Sequence, residues 1–90
     1  MTSQWVLEYE DSAVRWFRKA DPQTARRVRN ALKSVVMLED PRQRGKALTG
    51  TLSGLWRYRV GDYRVVCDLI DDRLVVLVIG VDHRSRVYLE

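Results

Sequence analysis

The sequence predicts an α+β fold: an N-terminal strand, a two-helix hairpin and a three-stranded antiparallel meander, with the helices packed on one face of the sheet. Three observations carry that expectation. Apolar residues alternate over residues 4–9, recur at helical spacing through two segments, and alternate again through three runs separated by turn residues. Two steps, Asp21-Pro22 and Asp40-Pro41, stand where one helix must start and another must stop. No internal repeat, linker or low-complexity tract interrupts the chain, so residues 1–90 are expected to form a single domain.

Residues 4–9 set Trp5, Leu7 and Tyr9 on one side of a strand, with Val6 and Glu8 on the other. Asp11 or Ser12 can cap the first helix by accepting from the free amides of its first turn. Ala13, Trp16, Phe17 and Ala20 then share one helical face. Asp21 is the expected cap of the second helix, and Pro22 takes the first helical position, where a missing N–H costs nothing. Ala25, Val28, Leu32 and Val35 form an inner stripe, and the helix should run to about Glu39 before Asp40-Pro41 ends it. Residues 42–54 read as a polar, glycine-marked loop without the GxxxxGK[ST] spacing of a phosphate-cradling loop. Strands are expected over residues 55–60, 63–70 and 73–81. Gly61-Asp62 fits a type II′ turn between the first two, and Asp71-Asp72 a turn between the last two.

Length and composition exclude several classes. Ninety residues and 10.6 kDa leave no room for a dinucleotide-binding domain. Hydrophobic residues at 46% and charged residues at 31% describe a folded chain rather than a disordered one. The longest apolar run, Leu74 to Ile79, is far short of the ~20 residues that span a bilayer, and Met-Thr-Ser-Gln-Trp does not resemble a signal peptide. One cysteine and one histidine cannot make an internal disulfide or a zinc site of the usual kind. The expectation is a cytoplasmic protein with no membrane contact, no metal and no cofactor. Cys67 should be buried and inert, and Trp5, Trp16, Phe17 and Trp56 should belong to the core.

Charge carries more information. Sixteen Lys and Arg against twelve Asp and Glu give +4, and thirteen of the sixteen are arginine, whose planar fork suits phosphate. Arg42, Arg44, Lys46, Arg57, Arg59 and Arg64 face only Asp62 within their stretch, so the positive field gathers on one loop and one hairpin. A two-residue Gly61-Asp62 turn sets Arg59 opposite Arg64 and gathers both with Arg57 on one sheet face. Directly opposed like charges destabilise a hairpin by a few tenths to ~1 kcal/mol, a cost that an anionic ligand would remove. Carried through a two-residue Asp71-Asp72 turn, the same register sets Arg64 opposite Ile79, Val66 opposite Leu77 and Asp68 opposite Val75. That face then carries an apolar strip, Val66, Val75, Leu77 and Ile79, large enough to dock a protein partner. Beyond the last strand, His83, Arg84, Arg86 and Tyr88 supply groups for proton transfer and for stabilising charge on a phosphate.

The run Leu55-Trp56-Arg57-Tyr58-Arg59-Val60-Gly61-Asp62-Tyr63-Arg64-Val65-Val66 resembles the RelE family of toxins, within the RelE/ParE superfamily of toxin–antitoxin systems. So do Val78-Ile79-Gly80-Val81-Asp82-His83-Arg84, Val87-Tyr88, and the loop carrying Lys46-Ala47-Leu48, Gly50 and Leu52. The resemblance spans nearly the whole chain. It implies a metal-independent endoribonuclease that enters the ribosomal A site and cuts mRNA there, the ribose 2′-OH attacking the adjacent phosphate. It implies that Arg64 and Arg84 hold the scissile phosphate and that Tyr88 orients or stacks on the substrate. Arg57 and Arg59 stand where some relatives carry lysines. With Lys46, Arg44 and Arg86 they are expected to bind RNA, since arginine is a poor proton acceptor. His83, with an ordinary pKa of ~6.5, is then the expected proton carrier. The partners implied are an acidic, DNA-binding antitoxin from the same operon, covering the apolar strip, and the ribosome with its mRNA and rRNA. A ParE-like gyrase inhibitor without nuclease activity is the alternative of a different class, and an inactive toxin-fold binding module is a third.

Overall fold

A computed structural model describes residues 4–83. The elements are β1 (Val6–Tyr9), α1 (Asp11–Lys19), α2 (Pro22–Val36), β2 (Lys46–Ala47), β3 (Trp56–Val60), β4 (Tyr63–Ile70) and β5 (Val75–His83). They form two helices on a five-stranded sheet of order β1-β5-β4-β3-β2, parallel between β1 and β5 and antiparallel elsewhere. The α+β class is as expected. Two features are not: β2 adds a fifth strand inside the expected loop, and β5 starts and ends two residues later than the spacing suggested.

Local chemistry accounts for most boundaries. The Asp21 carboxylate accepts from the Gln23 and Thr24 amides at 3.1 Å, satisfying two of the orphan donors that open α2. α2 ends at Val36, three residues before Glu39. Asp40 caps a separate 3₁₀ turn, Pro41–Gln43, through a capping box with Gln43. α1 is capped differently from the expectation. Glu10 is its N-cap without a side-chain bond, Asp11 is its first residue, and the Ser12 hydroxyl instead donates to the carbonyl of Ile79 on β5.

The core lies between the helices and one sheet face. Ala13 of α1 and Val28, Leu32 and Val35 of α2 pack on Tyr58, Val65, Cys67, Val76, Val78 and Val81. Trp5, Leu7, Tyr9, Trp16, Phe17 and Trp56 border this cluster, as their spacing predicted, while Val6 stays half exposed. Leu32 and Val28 are almost wholly removed from water, each contributing about 1.5–3 kcal/mol of transfer free energy.

The β4–β5 register differs from the expected one in two ways. The connection is a four-residue turn, residues 71–74, with Leu74 in the left-handed region at φ 54°, so Ile70 pairs with Val75. The pairing then jumps between Cys67↔Val78 and Val66↔Gly80, leaving Ile79 as the extra residue of a β-bulge. The Ile79 carbonyl accepts from Ser12, at the level where β1 has already turned into α1. Past the bulge Arg64 pairs with Asp82, not Ile79, and Val66 with Gly80, not Leu77. Asp68 pairs with Leu77 rather than Val75.

Candidate functional site

The first hairpin places the arginines. Gly61 sits at φ 58° and Asp62 does not share the positive φ, the pattern of a type II′ turn, so Val60 pairs with Tyr63 and Arg59 with Arg64. Cross-strand partners share a face. Tyr58 and Val65 pair on the core face, which leaves Arg57, Arg59 and Arg64 together on the face away from the helices. β2 extends that set, because Lys46 pairs with Arg57.

Two rows of side chains result. One runs Lys46, Arg57, Val66, Gly80 across β2 to β5; the other runs Arg59, Arg64, Asp82 across β3 to β5. Adjacent positions in a row are about 4.8 Å apart and the rows about 6.8 Å apart. Four cations thus occupy one small region of the sheet, with a carboxylate at one corner. Nε of Arg57 and Nε and Nη1 of Arg64 are shut off from bulk water, so water screens their charge less than it would at the open surface.

The segment before β2 is fastened to hold Lys46 in place. The Trp56 indole Nε1 donates to the Arg44 carbonyl at 2.7 Å, and the Tyr58 hydroxyl donates to the Pro41 carbonyl at 2.8 Å. Between them Gly45, at φ 75°, lies flat against β3; a Cβ there would sit 2.2 Å from the Arg57 carbonyl oxygen. Arg42 forks onto Asp71 at 3.0 and 2.7 Å, tying the same segment to the β4–β5 turn and raising the Arg42 pKa through that hydrogen bond. Around this edge lies an open cleft of about 510 Å³, bordered by Ala31 and Val35 of α2 and by residues 44–46 and 57–60.

The expected site residues are only partly brought together. Arg57, Arg59, Arg64 and Lys46 converge. Arg44 turns the other way, donating to the Ser34 hydroxyl of α2 at 2.9 Å. His83 is not with the arginines: it pairs with Tyr63, and the two rings meet edge to face at 5.1 Å on the helix side of the sheet. Arg84, Arg86 and Tyr88 lie outside the described residues. Of the apolar strip, Val66 and Val75 are buried and Leu77 and Ile79 half-buried. Val6 pairs with Val75 and carries the strip onto β1, half exposed. Cys67 is buried, and burial pushes its thiol up to about 12. Asp82 and Gly80, which the sequence reading passed over, stand beside Arg64. The signal that points to them is a glycine inside an otherwise apolar strand run, a mark of a bulge or of a close backbone approach.

Two helices packed on one face of a five-stranded mixed sheet match the fold of RelE-like toxin structures. The chain belongs to the family of ParE toxins of type II toxin–antitoxin systems, whose family model matches residues 7–88. Among solved structures it is similar to the isolated RelE toxin of E. coli, at 27% identity and a TM-score of 0.74, over 92% of this chain and 87% of that one. It is similar in fold to the RelBE2 toxin–antitoxin complex of Mycobacterium tuberculosis, at 24% identity and a TM-score of 0.73, over 92% and 94% of the two chains. A RelE–RelB complex from Pyrococcus horikoshii OT3 also shares the fold, at 22% identity and a TM-score of 0.69, over 92% and 98%. No curated protein matches it. Among the described residues no helix is long and apolar enough to cross a membrane.

Proposed function

We propose that this toxin is a metal-independent endoribonuclease that cuts mRNA in the ribosomal A site and so inhibits translation in the cytoplasm. The observation that carries the reading is the direct pairing of Arg59 with Arg64, flanked by Arg57 and Lys46. Directly opposed guanidinium groups repel, and an anionic ligand between them lowers that cost. Arg64 would hold the scissile phosphate and offset the charge that grows on it, and Arg57, Arg59 and Lys46 would bind the neighbouring backbone. Arg84, Arg86 and Tyr88 would complete the site from the C-terminal segment. Arg44 borders the cleft at the β2–β3 edge and would meet RNA that runs round that edge.

The partner proposed is an acidic, DNA-binding antitoxin; the relative from Mycobacterium tuberculosis was solved as a toxin–antitoxin complex. Its apolar residues would cover Leu77 and Ile79, with Val66 and Val75 beneath, and its carboxylates would neutralise the arginines.

Induction in a bacterium of this chain and of Arg64→Ala, followed by mapping of mRNA 5′ ends, tests the reading. The expected result is growth arrest with new cuts inside translated codons, lost in the variant. Arrest with intact messages and a DNA-damage response would replace it with gyrase inhibition. Well-expressed, folded protein without arrest would make the chain a binding module.

A further inference from the structure

The three arginines supply charge for a phosphate but no group to take a proton, since a guanidinium does not act as a base at neutral pH, and Lys46 stands on β2, two strands away from Arg64. We infer that Asp82 is the proton acceptor of the cleavage reaction and that the side-chain-free position of Gly80 beside it is where the attacked ribose sits. This rests on the nuclease reading above.

The bulge at Ile79 is the origin of the arrangement. Strict alternation continued from Val78 would turn residue 82 toward the helices and residue 83 toward the arginines. One extra residue reverses both. Val81 is buried in the core at 6% exposure, so Asp82 points to the opposite face, and its cross-strand partner there is Arg64. Asp82 is exposed, and among the described residues no hydrogen bond or ion pair engages its carboxylate. The other carboxylates of this region are worse placed. Asp62 lies in the hairpin turn, and Asp68 stands four residues along β4 from Arg64 with Val66 between them.

Gly80 is the second observation. It pairs with Val66 in the row next to Arg64 and Asp82, and a Cβ built on it would meet nothing within 4 Å. Among the described residues no side chain therefore fills that point of the sheet, which is bounded by a carboxylate and a guanidinium. A nucleotide laid there has its phosphate at Arg64 and its 2′-hydroxyl at Asp82. The 2′-oxygen bonds to phosphorus as its proton passes to the carboxylate. The bond from phosphorus to the 5′-oxygen breaks, and that oxygen takes a proton from water. Asp82 then returns its proton to solvent, leaving a 2′,3′-cyclic phosphate and a 5′-hydroxyl with no net change in protons.

Single-turnover cleavage on ribosomes programmed with a defined mRNA tests this, using the full chain, Asp82→Asn, Asp82→Glu and Gly80→Val. Asp82→Asn should cut at least ~10²-fold more slowly at saturating toxin, the scale of a lost general base, while binding programmed ribosomes within twofold of the parent. Asp82→Glu should recover part of the rate. Gly80→Val, at a position with open space and no special φ, should keep its melting temperature and lose substrate binding. Asp82→Asn cutting at the parental rate would overturn the assignment and leave the nuclease reading intact, as would Gly80→Val cutting normally for the ribose position. A parent chain that cuts nothing would overturn both.

Discussion

Tyr63 and His83 meet edge to face with ring centroids 5.1 Å apart, so the single histidine closes an aromatic series running Tyr9, Phe17, Trp16, Tyr63, His83 at successive separations of 5.4, 5.0, 5.7 and 5.1 Å. The series joins β1, α1, β4 and β5 along one side of the core. Edge-to-face pairs are worth about 0.5–1.5 kcal/mol beyond their buried area. His83→Ala should therefore destabilise the chain by roughly that amount, and urea denaturation would read it. An unchanged midpoint would mean that the contact contributes nothing.

The arginine patch makes a prediction about salt. Each phosphate neutralised on a single strand contributes about −0.7 to the slope of log K against log salt concentration. Arg59→Ala removes an exposed cation while leaving the core side of β3 untouched, so it should weaken single-stranded RNA binding and flatten the slope by about that amount. Titrations at several potassium concentrations would show it. A variant with lower affinity and the parental slope would mean that Arg59 does not meet phosphate.

Gly45 is constrained twice over, by φ 75° and by the closeness of the Arg57 carbonyl. A left-handed conformation costs a non-glycine residue about 1–2 kcal/mol, and the clash adds to it. Gly45→Ala should lift the segment carrying Arg44 and Lys46 off β3. The expected outcome is a loss of at least ~2 kcal/mol in stability, with early hydrogen exchange confined to residues 44–47 and 56–57. Gly50→Ala is the comparison: its φ is 66°, but an added Cβ meets nothing within 4 Å, so it carries the conformational cost alone.

The contrast between what could and could not be read from the chain has a physical pattern. Strand and helix identities were legible because they rest on local periodicity: Ala25, Val28, Leu32 and Val35 repeat at helical spacing and are all buried. The pairing of Arg59 with Arg64 was legible because a two-residue turn leaves one register. The β4–β5 register was not, because Asp71-Asp72 satisfies the sequence rules for a tight turn while the chain takes four residues and a left-handed Leu74. Nor was the bulge, whose anchor is the Ser12 hydroxyl, 67 residues distant from Ile79 in sequence. That one long-range hydrogen bond accompanies the exchange of Asp82 for His83 on the arginine face. β2 was missed for a related reason: two residues carry no periodicity, and Lys46 and Ala47 pair with β3 because Trp56, Tyr58 and Gly45 hold the preceding segment against it.

Cys67 yields a prediction with a definite sign. It lies in the core two residues along β4 from Val65, on the face that packs against the helices, and burial raises its pKa from 9.0 to about 12. Between those values the unfolded thiol has lost its proton and the folded one has kept it, so the folded state binds more protons. Stability contributed by the neutral thiol is complete below pH 9 and falls as pH rises, at up to ~1.4 kcal/mol per pH unit. Tyr58, also raised by burial, adds a loss of the same sign above its ordinary value of 10.0. Denaturation midpoints measured from pH 7 to 10.5 should fall in the parent. They should fall less steeply in Cys67→Ala, which forfeits the packing of the sulfur but has no thiol to ionise. At pH 8 a thiol reagent should label Cys67 only as fast as the chain opens, since the thiolate is the nucleophile and burial suppresses it. Immediate labelling of the native protein, or parallel pH profiles for the two chains, would place the thiol outside the core.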